Sequence, residues 1–286
     1  MTAIVERAHA KLNVCLRVLG RRDDGDHDIQ TLILPLELHD VITVTPADAF
    51  AVSVDGERAD DLSAAGGESI LARAAARFVE ATGLADLPPV HVRVDKRIPV
   101  AAGMGGGSAD AAALLRVLGA RDSTEPERLA AIGASVGADV PALLAGGPVF
   151  AEGRGERVAP VHGTTTHWVV KPFGLTVRAA DAYGWWDEAP VTGPDPGALV
   201  GAFETGRLDV LADAATNDLE AGVAARHPAV GHAAAVFREA GALTALMTGS
   251  GPTVVALAAD PAHADRLAAA VRGAIVTSGP PRTMTR

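Results

Sequence analysis

The chain has 286 residues, 48% apolar and 21% charged, with a formal net charge of −10 and one cysteine. That balance describes a globular chain of one large or two ordinary domains, and the negative charge argues against non-selective binding to nucleic acid or an anionic membrane. A single cysteine, Cys15, excludes an internal disulfide and fits a reducing cytoplasm; no run of about 18 uncharged apolar residues could span a bilayer, and Glu6, Arg7 and Lys11 break up an apolar leader core.

Residues 3–19 read as a strand or strand pair, rich in β-branched residues and leucine. The stretch GRRDDGDHD, from Gly20, supplies a turn, because Asp and Gly tolerate left-handed backbone. Strand character resumes over residues 29–47, with Pro35 marking an edge or a bulge. Helical spacing over 68–82 ends at Gly83, and VHVRVD from Val90 alternates as a strand does. A glycine loop follows, then helices at about 108–118 and 126–136, and a turn into a short helix within VGADVPALLAGG. Residues 147–161 read as a hairpin, and the pattern resets near 160–168, which divides the chain into segments 1–160 and 161–286. Beyond a Pro/Gly-rich loop at 189–197, the order is helix (230–240), strand (243–247), the loop MTGSGPT, strand (253–258), helix (261–272) and strand (274–277). Helices alternating with antiparallel-looking hairpins indicate an α+β fold of two lobes.

The glycine loop carries the chemistry. Four glycines fall between Gly103 and Gly107, directly before an alanine-rich apolar run. Each costs roughly 0.5–1 kcal/mol of order relative to alanine in regular structure, so bare backbone is needed there. Glycine lets backbone N–H groups approach a ligand, and a helix N-terminus adds unpaired donors and partial positive charge, a combination suited to phosphate. Ser108 occupies the expected N-cap position and Asp110 the first turn. No Walker A spacing occurs, and the G-x-G-x-x-G pattern fails because Ser108 stands at its third glycine.

PVAAGMGGGSADAAALL resembles the P-x-x-x-G-L-G-S/G-S-S/A-A signature of the GHMP kinases, which phosphorylate small-molecule alcohols with ATP. AKLN (Ala10–Asn13), GADVP (Gly137–Pro141), NDLE (Asn217–Glu220) and TGSGPTVVAL (Thr248–Leu257) extend the resemblance over nearly the whole chain. Their order points to the branch acting on a cytidine-diphosphate-linked methylerythritol in isoprenoid biosynthesis. The resemblance implies an N-terminal lobe like that of a small-subunit ribosomal protein and a ferredoxin-like C-terminal lobe. It also implies ATP and Mg²⁺ as cofactors. Lys11 and Asp139 would be catalytic. Pro99, Ala102, Gly103, Met104, Gly105, Gly106, Gly107, Ser108 and Ala109 would wrap the ATP phosphates, with Ser69 near the adenine. Asn13, Asp26, His27, Tyr183, Gly249, Ser250 and Gly251 would line the substrate side. No resident metal ligand is assigned, although Ser108 has the hydroxyl to serve as one.

Each of these residues also has an ordinary use. A strand lysine is commonly a solvated charge, Asp139 before Pro141 is a natural helix N-cap, and a Gly-Ser-Gly run makes a tight hairpin. The family turn D-G-Y-H reads Asp24-Gly25-Asp26-His27 here, Ala179 stands where the family has threonine, and Ser69 where it has asparagine. Phosphoryl-transfer residues are thus retained while base-recognition residues are altered. The alternatives are a related kinase for another alcohol and a nucleotide-binding protein without catalysis.

Overall fold

The computed structural model describes residues 3–59 and 69–281. Its strands are β1 (Ile4–Arg21), β2 (His27–Pro46), β3 (Ala51–Asp55), β4 (Val90–Asp95), β5 (Val149–Gly153), β6 (Arg157–Pro160), β7 (Thr166–Lys171), β8 (Thr244–Met247), β9 (Val254–Ala258) and β10 (Ile275–Gly279). Its helices, in chain order, are α1 (Ile70–Thr82), α2 (Gly106–Asp122), α3 (Pro126–Val136), α4 (Val140–Leu144), α5 (Ala179–Glu188), α6 (Gly197–Thr205), α7 (Leu208–Ala214), α8 (Glu220–Arg226), α9 (Pro228–Glu239) and α10 (Pro261–Ala270). Among the described residues no helix is long and apolar enough to cross a membrane.

Two compact units interleave along the chain, whereas the sequence reading divides it once, at 160/161. The first unit takes residues 1–10, 38–100 and 105–146; the second takes 11–37, 101–104 and 147–286. The long strands β1 and β2 each contribute a part to both. Pro35 lies in β2 between the residues that pair with β5 (Ile29–Ile33) and those that pair with β4 (Val41–Pro46), so neither ladder needs its missing N–H.

In the first unit, β4 pairs antiparallel with the second half of β2 and parallel with β3. Helix α2 is apolar nearly all round, with Ala109 to Leu115 and Val117 to Gly119 buried, as expected of a helix enclosed by neighbours rather than lying on a surface. It begins two residues before the expected start. Gly105, at φ +68°, takes the N-cap position in left-handed backbone, which places Ser108 inside the first turn. Helices α3 and α4 match their expected spans, and α1 starts at Ile70; Glu68, the first residue of its expected span, lies outside the described residues.

In the second unit, the first half of β2 pairs with β5, and β5 with β6, both antiparallel. A separate four-stranded antiparallel sheet runs β10-β7-β9-β8. Its core gathers Leu16, Val18, Val169, Trp186, Leu219, Phe237, Met247 and Val254. The second part of β1 is tied to the NDLE segment: Leu16 N donates to Thr216 O, Asp218 N to Leu16 O, and Val18 N to the Asp218 carboxylate at 2.8 Å.

Candidate active site

Within the second unit, Lys11 and Asn13 lie two residues apart on β1, so their side chains leave the same face of the strand. Both are buried, Lys11 being 4% exposed. Lys11 Nζ donates to Asn13 Oδ1 at 2.8 Å, and Asn13 Nδ2 donates to Thr31 Oγ1 at 2.7 Å. The main chain is held as well: Lys11 N donates to Met104 O at 2.9 Å and Asn13 N to Thr248 Oγ1 at 2.7 Å. A solvated strand lysine is therefore not what the structure contains.

The same contacts bring the two glycine segments together. At Gly103 (φ +72°) a Cβ would lie 2.7 Å from Gly251 O. At Gly249 (φ +57°) it would lie 2.9 Å from Gly103 O and 3.1 Å from Lys11 Nζ. Side chains essentially never approach backbone this closely, so both positions need glycine for space as well as for φ. The Gly249–Gly251 turn joins β8 to β9, as the sequence suggests, with Thr248 N donating to Thr253 O. Asn217 Nδ2 donates to the carbonyls of Met247 and Gly249, at 2.7 and 2.8 Å, and so pins the turn to the NDLE segment. Ser250 is half-buried at the apex.

On the substrate side of the sequence reading, His27 and Tyr183 do come together. Their rings stack at 4.7 Å between centroids, Trp186 meets His27 edge-on at 5.7 Å, and a His27 ring nitrogen lies 2.8 Å from Asp187 Oδ1. Asp26 sits apart from this stack as an exposed ion-pair partner of Arg154, at 3.1 Å.

Within the first unit, Gly105, Gly106 and Gly107 open α2, and Ser108 Oγ would lie 3.8 Å from a Cβ at Gly137. Asp139 occupies the N-cap position of α4, yet its carboxylate makes no capping hydrogen bond, so the ordinary use of an aspartate before proline does not apply. Pro99 is buried ahead of the loop, and Ser69 precedes α1, exposed and without a side-chain cap bond.

Models of two families match the chain: GHMP kinases N terminal domain over residues 69–147, and GHMP kinases C terminal over 199–276. The chain is 40% identical to a 4-diphosphocytidyl-2-C-methyl-D-erythritol kinase of Kineococcus radiotolerans, across 94% of this chain and 85% of the relative. The chain belongs to the GHMP kinase family. It is also 39% identical to the enzyme of the same name from Streptomyces avermitilis, over 98% and 95% of the two chains. A crystal structure of 4-(cytidine 5'-diphospho)-2C-methyl-D-erythritol kinase superposes with a TM-score of 0.80 at 33% identity, covering 97% of this chain and all (100%) of the other. A homoserine kinase from Cytophaga hutchinsonii, at 16% identity and TM-score 0.74, with 98% and 95% covered, shares the fold.

Sequence reasoning missed a buried charge cluster of this GHMP kinase. Lys96 Nζ lies 2.6 Å from Asp40 Oδ2 and 2.7 Å from Asp110 Oδ2, all three side chains being buried. Asp40 Oδ1 also accepts Arg97 N and Ile98 N, at 2.5 and 2.8 Å. Among the described residues Asp110 Oδ1 has no hydrogen-bond partner. Burial, with the Asp40 charge adding to it, pushes the Asp110 carboxyl up to about 7 against the pull of Lys96. Burial would lower the Lys96 ammonium, but its two carboxylates outweigh that and hold it above the ordinary lysine range. The group packs against the start of α2: a Cβ on Gly106 would lie 3.2 Å from Lys96 Nζ and 3.1 Å from Ile98 Cγ2. Asp110 was visible in the sequence as a first-turn acid, but its partners lie 14 and 70 residues away, and no local pattern joins them.

Proposed function

We propose that this chain transfers the terminal phosphoryl group of ATP to the 2-hydroxyl of 4-diphosphocytidyl-2-C-methyl-D-erythritol. The observation that carries the reading is the meeting of both glycine segments at the buried Lys11 ammonium, in a chain 40% identical to a kinase named for that substrate. The alcohol oxygen attacks the γ-phosphorus, the bond from phosphorus to the β–γ bridging oxygen breaks, and ADP leaves. The hydroxyl proton goes to Asp139, whose carboxylate serves as general base. Lys11 offsets charge on the transferred group, and backbone amides of the glycine loop within Pro99–Ala109 hold the phosphates. Positioning supplies much of the rate, because an ionised aspartate is a weak base.

Mg²⁺ arriving with ATP would neutralise phosphate charge and would need few ligands from protein. The Ser108 hydroxyl in the first turn of α2 has the chemistry to be one. His27, held against Tyr183 and Asp187, is the nucleotide-side contact of this reading, and the cytoplasm is its setting. The altered Asp26, engaged by Arg154 instead of offering a ring, gives a second reading in which the acceptor is another alcohol. ADP release measured across a panel of small alcohols separates the two. Turnover at least about tenfold faster with the cytidyl substrate than with any other alcohol is expected; no turnover with it, alongside activity on another alcohol, would overturn the assignment.

A further inference from the structure

We propose that Thr31 is a positioning residue for Lys11, acting through the Asn13 amide; the inference rests on the catalytic role given to Lys11 above. The number of available protons fixes the arrangement. A hydroxyl has one proton to donate and lone pairs with which to accept. Thr31, 1% exposed, donates to the Cys15 carbonyl at 2.6 Å. A carbonyl only accepts, so the Thr31 proton is committed there. Toward Asn13, 2.7 Å away, Thr31 Oγ1 can then only accept, and only the NH₂ end of the amide can donate.

That choice propagates. With Nδ2 turned to Thr31, the amide carbonyl faces the other way, and Oδ1 meets Lys11 Nζ at 2.8 Å. An ammonium has donors alone, so the reversed amide would set NH₂ against it and lose the contact. Thr31 thus selects the amide orientation that holds Lys11, without touching Lys11 itself. The surroundings leave little room for another arrangement. Asn13 N is fixed to Thr248 Oγ1, and Cys15 Sγ accepts Leu32 N at 3.3 Å. Burial pushes the Cys15 thiol up to about 11, so it stays neutral and serves as packing.

The test is steady-state kinetics of the full chain with Thr31→Val, Thr31→Ser, Lys11→Met and the Thr31→Val/Lys11→Met double variant. Binding of a non-hydrolysable ATP analogue checks that each variant is folded. Thr31→Val should lower kcat about tenfold, the scale of one buried hydrogen bond, with the KM for ATP within about twofold. Thr31→Ser, which keeps the hydroxyl, should stay within about twofold of the parent. In the Lys11→Met background, Thr31→Val should change kcat by less than about twofold, because its route of action is gone. Unchanged kcat in Thr31→Val, a serine variant as impaired as the valine one, or equal losses in both backgrounds would overturn the proposal. A fully active Lys11→Met would instead overturn the reading of Lys11 on which it rests. Thr31→Ala is read by the same criteria should the valine variant fail to bind the analogue.

Discussion

Two buried ammonium groups, one in each compact unit, have different groups beside them. Lys96 is 2% exposed and sits between two carboxylates, Asp40 and Asp110, at 2.6 and 2.7 Å. Lys11 is 4% exposed, donates to the neutral carbonyl of Asn13, and lies against the bare backbone of Gly249. The first ammonium neutralises buried acids that the fold has already enclosed. The second donates to an amide oxygen beside a position that only glycine can fill, and the role we propose for it is to meet charge arriving with a phosphoryl group. Burial alone does not distinguish the two; the catalytic role is proposed for Lys11 on its AKLN motif and its place beside Gly249.

The comparison is easiest to break at Lys96. Lys96→Met leaves two carboxylates buried without their counter-charge, and removing one partner of a buried ion pair typically costs about 3–5 kcal/mol. Denaturant unfolding should show a loss of that size; a loss under about 1 kcal/mol would mean that the group is not the buried cluster described. A smaller change probes the same cluster from the loop side. In Gly106→Ala the new methyl presses on the Lys96 ammonium and on Ile98, and the ammonium is pinned by Asp40 and Asp110. The start of α2 should shift and the KM for ATP rise about tenfold, with kcat affected less; unchanged ATP kinetics would place the phosphates elsewhere.

The gentlest test is of Asp110. Its carboxyl titrates near 7 in the folded chain and near the ordinary 3.8 when unfolded. The folded state therefore binds the extra proton between those values, and this contribution to stability, fully present below about pH 4, is lost as the pH rises through about 7. Asp110→Asn removes that slope. Melting curves from pH 5 to pH 8 should move steadily in favour of the variant relative to the parent. Parallel pH dependences would show that Asp110 is ionised throughout.

Much of this was legible in the sequence. Strand alternation, helical spacing and glycine stops located most elements, and α3 and α4 fell within their expected spans. The glycine loop, Lys11 and Asp139 stand out in the sequence because they fall in short motifs, and the roles proposed for them rest on those motifs. What stayed hidden depends on distance along the chain. Lys96 and Asp40 are 56 residues apart, and the contacts of His27 with Asp187 and of Asn13 with Thr248 span 160 and 235. No periodicity encodes such pairs. The helix start was misplaced for a local reason: Ser108 has the better capping side chain, but the left-handed backbone open to Gly105 let the helix begin earlier. The interleaved units were hidden because β1 and β2 run on from one unit into the other with no break in pattern.

The most direct test of the central claim is turnover of the cytidyl substrate by Lys11→Met, paired with calorimetric binding of a non-hydrolysable ATP analogue. A fall in kcat of at least about 10²-fold is expected, with the analogue's dissociation constant changed by less than about threefold. A Lys11→Met enzyme that turns over at the parent rate would contradict that claim.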